Sequence, residues 1–142
     1  MQVQPYIFFD GRCEEAVNFY KTALNAEVTM MMRFKENPEP QPNPMGGKEL
    51  DEKIMHASFK VGQTEVMASD GYAKGNPEFK GIALSVSTAT EAEAQKMFGA
   101  LSEGGKVTMP LGKTFYSPCF GMVNDKFGVS WMVIVPGEMP TS

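Results

Sequence analysis

The sequence predicts an α+β protein made of two consecutive copies of one module, a strand, a helix and three further strands. Two stretches with the period of an amphipathic helix each follow a short apolar strand, alternating stretches of strand period follow each helix, and the whole order recurs in the second half. The halves also echo each other locally, as in Ala23-Leu24 with Val28-Thr29 against Ala100-Leu101 with Val107-Thr108.

Tyr6–Phe9 reads as a short buried strand, ended by Asp10-Gly11, which also offers a helix cap. From Cys13 to Asn25, residues Ala16, Val17, Phe19, Tyr20, Ala23 and Leu24 fall on one stripe, the mark of an amphipathic helix. Glu27–Phe34 follows as a strand. Residues 37–47 hold four prolines and two glycines, which excludes helix and sheet and predicts a long loop, of the kind that serves as a lid or an insertion. The charged run Lys48–Lys53 after it reads as a solvated face. Ile54–Val61 and Thr64–Ser69 both alternate, and only Gly62-Gln63 separates them, the Gly-x pair of a type II′ hairpin.

The second copy begins with a strand at Gly81–Ser87. A helix at Thr90–Glu103 opens with Thr90 and Glu93 as a capping box and stops at Gly104-Gly105. Strands at Lys106–Pro110, Cys119–Asn124 and Val129–Val135 complete it, with a turn at Asp125–Gly128. One domain of 142 residues results, with module one at about 1–76, module two at about 77–136 and a tail at 137–142. Neither half is large enough to bury a good core alone, so the modules must pack on each other or on a partner chain.

Composition narrows the function classes. A hydrophobic content of 42% with 21% charged residues is globular rather than disordered. A net charge of −4 and a pI near 5.0 give no footprint for nucleic acid or an anionic membrane. The longest apolar run, Trp131–Val135, is too short to span a bilayer, and the N-terminus Met-Gln-Val-Gln-Pro lacks the pattern of a secretory signal. Two cysteines, Cys13 and Cys119, fit plain packing in a reducing cytoplasm.

Several stretches resemble the PhnB-like branch of the vicinal-oxygen-chelate superfamily, which includes glyoxalase I, extradiol dioxygenases and bleomycin- and fosfomycin-resistance proteins. They are Pro5–Gly11, Ala16–Tyr20, Met55–Ala57, Met67–Asp70 and Asp125–Met132. The likeness spans nearly the whole chain apart from the proline loop and the tail. It implies a glyoxalase-like fold of duplicated modules, a homodimer, and a ligand cleft on the open faces of the sheets. In metal-using members four ligands come from the first and last strand of each module. By register these positions fall on Pro5, Met67, Gly81 and Met132, none of which offers the imidazole or carboxylate that zinc or nickel takes; thioether sulfur suits Cu(I). No metal and no cofactor is therefore expected. PhnB-like sequences also carry a label relating them to a ubiquinone-pathway 3-demethylubiquinone-9 3-methyltransferase. The chain has no Gly-rich strand-to-helix turn and no parallel βα alternation to hold S-adenosylmethionine, and Gly46-Gly47-Lys48 lacks the spacing of a phosphate loop.

The hairpin also fixes which residues share a face. A two-residue turn pairs Lys60 with Glu65, Ser58 with Met67 and His56 with Ser69, all on the open side. Met55, Ala57, Phe59, Val61, Val66 and Ala68 form the helix-packed side. Alternation assigns Tyr6, Phe8, Ile82, Leu84, Val86, Trp131, Val133 and Val135 to the core. It leaves Pro5, Ile7, Gly81, Ala83, Ser130, Met132 and Ile134 on the open face. His56 is the only histidine and the one candidate general base; the competing role is a structural imidazole bonded to Ser69 or to a backbone carbonyl. Asp70, before Gly71, reads as a turn cap, with a second acid as the alternative. The candidate ligand-binding residues are His56, Ser58, Met67, Ser69 and Met132, with the aromatic pair Phe115 and Tyr116 at the second module's cleft edge. A small apolar or aromatic compound is the expected ligand. The alternatives are an enzyme of the same fold that uses an unorthodox metal site or His56 as base, and a dimeric scaffold with no small ligand.

Overall fold

Strands and helices follow the order read from the sequence. The computed structural model describes residues 1–37, 50–71 and 77–137. The elements are β1 (Tyr6–Phe8), α1 (Cys13–Ala23), β2 (Glu27–Arg33), β3 (Ile54–Val61), β4 (Thr64–Ser69), β5 (Leu84–Ser87), α2 (Glu91–Ser102), β6 (Lys106–Gly112), β7 (Cys119–Asn124) and β8 (Ser130–Val135). The chain divides into two compact units, Met1–Pro77 and Glu78–Ser142. Among the described residues each holds one α-helix and one four-stranded sheet, ordered β1-β4-β3-β2 in the first and β5-β8-β7-β6 in the second. The architecture is α+β. The proline loop lies almost wholly outside the described residues, as do Lys48 and Glu49.

In the first unit the Gly62-Gln63 turn sets the register. Gly62 takes φ +59° while Gln63 keeps a negative φ, the pattern of a type II′ turn, and Ser58 pairs with Met67 and Lys60 with Glu65. The face bearing Ala57, Phe59, Val66 and Ala68 is buried, and α1 lays Ala16, Val17 and Tyr20 towards the core. The Tyr20 ring stacks on Phe59 with centroids 5.8 Å apart, and Phe9 closes on Tyr20 at 6.2 Å. Burial, then the carboxylates of Asp70 and Glu14, push the Cys13 thiol up, so it stays protonated and unreactive.

The outer strand β1 corrects an assignment of faces. It pairs parallel with β4, Tyr6 beside Met67, Ile7 beside Ala68 and Phe8 beside Ser69. Ile7 therefore joins the core at 8% exposure, while Tyr6 and Phe8 stand on the open face at 39% and 54%. All four residues of Tyr6-Ile7-Phe8-Phe9 are apolar, so either parity satisfies alternation and only the partner strand decides. After β2 the chain turns through one 3-10 turn, Phe34–Glu36, instead of extending the strand to Phe34. Residues 50–53 of the charged run are described, and they are solvated only in part, with Glu52 exposed. Leu50 is buried, Lys53 Nζ donates to the Gly11 carbonyl at 3.0 Å, and Glu52 pairs with Lys35 at 2.6 Å.

In the second unit Thr90 Oγ1 accepts from Glu93 N at 3.1 Å and caps α2, whose Ala94, Phe98 and Leu101 are buried. Gly121 on β7 lets Phe98 approach, because a Cβ there would stand 2.8 Å from Phe98 Cε2 and 2.9 Å from Leu111 Cδ2. Trp131 donates its indole N–H to Asp125 Oδ2 at 2.8 Å, and Asp125 Oδ1 accepts from Phe127 N and Val129 N. The leading strand is shorter than read. Pairing with β8 begins at Leu84 beside Trp131, and Ile82, expected in the core, is 70% exposed ahead of it.

Asp70 closes the first unit. Its Oδ1 accepts from Gly11 N at 2.7 Å and Cys13 N at 2.8 Å, and its Oδ2 from Ile54 N at 2.7 Å, with the side chain 1% exposed. It caps more than a turn: one carboxylate holds the start of α1, the start of β3 and the end of β4. Asp70→Ala strands three backbone donors away from water, and a loss of about 3 kcal/mol or more follows. Urea titration of the variant measures it, and a loss under about 1 kcal/mol would show that water replaces the carboxylate.

Candidate functional site

The open face of the first sheet is built in cross-strand rows. Cα pairing aligns Tyr6, Met67, Ser58 and Met30 in one row across all four strands. The next row carries Phe8 beside Ser69, and His56 beside Met32. Among the exposed large apolar side chains are Tyr6, Phe8 and Met30, all on this face. Tyr6 and Phe8 are 5.0 Å apart between ring centroids with a 34° tilt, and together they form an aromatic edge.

His56 lies inside this surface, half-buried, with a hydroxyl on each ring nitrogen. Its Nδ1 is 3.0 Å from Tyr6 Oη and its Nε2 is 3.3 Å from Ser58 Oγ. The Tyr6 and His56 rings are 5.6 Å apart. The sequence offered Ser69 or a backbone carbonyl as the partner. Instead Ser69 Oγ accepts from Gly71 N at 3.2 Å, at the end of the strand, and the imidazole bonds along its own strand and across to β1. Tyr6 joins the candidate residues only with the structure, because a tyrosine in a short apolar strand reads as core. The signal that could have found it is the pairing of β1 with β4, a contact between segments about sixty residues apart in sequence.

The remaining candidates belong to the second unit. Its open face has a matching row, Ser85, Met132, Met122 and Met109. Phe115 is 82% exposed between β6 and β7. Tyr116 is half-buried, with its ring 5.6 Å from Phe120 in an edge-on contact and 4.9 Å from Phe115.

The rows also bear on the superfamily's metal positions. Gly81 precedes β5, and the Pro5 carbonyl is held by Met67 N at 3.0 Å. The first-strand residues that share a face with Met67 and Met132 are Tyr6 and Ser85. In each unit taken by itself, one hydroxyl and one thioether offer neither the imidazole nor the carboxylate that zinc or nickel takes. Among the described residues no three of His, Cys, Asp and Glu gather in a group that could hold a metal ion.

Comparison with known proteins places this architecture. The family model described as 3-demethylubiquinone-9 3-methyltransferase matches residues 1–134. Protein YjdN of Escherichia coli K12 is 32% identical over 146 residues, covering 99% of each chain. Among solved structures, protein PA1353 from Pseudomonas aeruginosa is 40% identical, with a TM-score of 0.83 over 97% of this chain and 99% of that one. A PhnB protein from Bacillus cereus is 32% identical, with a TM-score of 0.77 over 95% and 99%. A glyoxalase-related enzyme from Fulvimarina pelagi, 14% identical, shares the fold with a TM-score of 0.60 over 100% and 99%. The chain belongs to the PhnB-like, 3-demethylubiquinone-9 3-methyltransferase family and has the glyoxalase-like fold.

Proposed function

We propose that this protein binds a small apolar or aromatic compound on the open face of the first sheet, without a metal ion. One observation carries the reading: Tyr6, Phe8 and Met30 stand exposed at 39%, 54% and 39% around a hydrogen-bonded imidazole. Apolar surface left in water forgoes about 25 cal/mol per Å² of stabilisation, and contiguous exposed patches mark binding sites. Methionines at Met30, Met32 and Met67 suit such a surface, because an unbranched thioether adapts to varied shapes. The family's description as a methyltransferase is not carried to this chain as an activity. At the strand-to-helix turn where a nucleotide-type cofactor would need free backbone donors, Gly11 N and Cys13 N are already held by Asp70.

We also propose that the protein is a cytoplasmic homodimer. Ile82 and Phe115 in the second unit are 70% and 82% exposed, and the outer strands β5 and β6 leave the sheet's edges for a second copy to cover.

Native mass spectrometry of gently purified protein tests these points together. The expected result is a dimer of 15.6 kDa chains with a bound organic compound and no stoichiometric metal. Near-stoichiometric zinc, nickel or manganese would overturn the metal-free reading, and a bare monomer would overturn both the ligand and the dimer.

The His56→Ala variant separates a binding role from a structural one. It leaves Ser58 Oγ, in a side chain 5% exposed, without its imidazole partner, so stability falls by about 1 kcal/mol. Affinity for the co-purified compound falls as well. Unchanged affinity in the folded variant would assign His56 to structure alone.

A further inference from the structure

We infer that Tyr6 is the hydrogen-bonding anchor of this site, and that the ligand is a flat, uncharged compound with a hydroxyl or carbonyl at one edge. The inference rests on the reading of the first sheet as a small-molecule site and specifies what that site selects.

The geometry gives Tyr6 an unusual position. Its ring lies beside Phe8 on the exposed edge, while its hydroxyl meets an imidazole whose other nitrogen meets a buried serine. A neutral imidazole donates from one nitrogen and accepts at the other. In one tautomer Tyr6 donates to Nδ1, and its oxygen is left to accept from a ligand hydroxyl. In the other, Ser58 donates to Nε2, the Nδ1–H donates to Tyr6, and the phenol proton is free for a ligand carbonyl. Moving one imidazole proton, with both hydroxyls turning, converts the exposed end of the chain from acceptor to donor. The site can thus meet either group without leaving a polar atom stranded, and stranding one is the main penalty in an apolar site.

Shape and charge follow from the surroundings. The Tyr6 and Phe8 rings offer faces for stacking, which favours a planar partner. The two rows around His56 hold no Asp, Glu, Lys or Arg. In the charged rows to either side, Arg33, opposite Ile54, is paired with Glu14, and Lys60 is set against both Glu65 and Glu27, which leaves no net attraction for an anion. An uncharged ligand escapes the desolvation that a carboxylate would suffer here.

Fluorescence titration with naphthalene, 1-naphthol and 1-naphthoate tests the inference. A purely apolar face would prefer naphthalene, because the naphthol hydroxyl must give up water. The expected order is naphthol tighter than naphthalene by about three- to tenfold, the worth of one hydrogen bond, with naphthoate weakest. Tyr6→Phe, shown to be folded by its circular dichroism spectrum, should bring naphthol down to the affinity of naphthalene. Naphthalene binding as tightly as naphthol, equal losses for both in Tyr6→Phe, or naphthoate binding best would overturn the anchor while keeping the site. Binding of none of the three would overturn the site and the anchor together.

Discussion

Asp70 sits where three segments of the first unit meet, and the placement of the candidate site depends on it. The carboxylate takes two N–H groups at the entrance of α1 and one at the start of β3, from a position directly after β4. A buried charge is costly unless it is fully hydrogen-bonded, and here three donors meet it with no described buried side-chain polar atom left unpartnered. Its hold on Gly11 and Cys13 fixes where the chain leaves β1, and so keeps β1 alongside β4. The second unit has its own buried carboxylate, Asp125, which ties its turn to the Trp131 indole. The two carboxylates do the same kind of work at different points of the module, Asp70 after the last strand and Asp125 within the last hairpin.

From that frame the open face follows. Parallel pairing of β1 with β4 puts Ile7 inward and turns Tyr6 and Phe8 outward, next to the row that carries His56. One aromatic edge and one imidazole chain then share a surface that the unit's own helix does not cover, since α1 packs against the opposite side through Tyr20 and Phe59. One side of the sheet carries the packing, and the other carries the proposed binding surface.

Much of this was legible in the sequence where chemistry is local. Gly62-Gln63 determined the hairpin, and with it the alignment of Ser58 with Met67 and the buried row through Phe59 and Val66. Thr90 determined the start of α2 through its bond to Glu93 N. What was not legible depends on distant partners. The face of Tyr6 turned on β4, since four apolar residues in succession carry no parity of their own. The reach of Asp70 turned on three segments folding around it, and a turn-like Asp-Gly pair announces only the nearest. Ile82 misled because its apolar character suggested a strand longer than the one that pairs. His56 stood out as the single histidine, but its hydrogen-bond partners did not, since side-chain direction along a strand does not follow from pairing alone.

The single histidine also makes the central claim directly measurable. In a heteronuclear NMR titration with 1-naphthol, the His56 ring nitrogens report the imidazole, and the methionine methyls distinguish the two sheets. A ligand on the first sheet shifts the His56 signals saturably together with the methyls of Met30 and Met67, while Met109, Met122 and Met132 stay in place. Saturable shifts confined to Met109, Met122 and Met132, with His56 unmoved, would contradict the account.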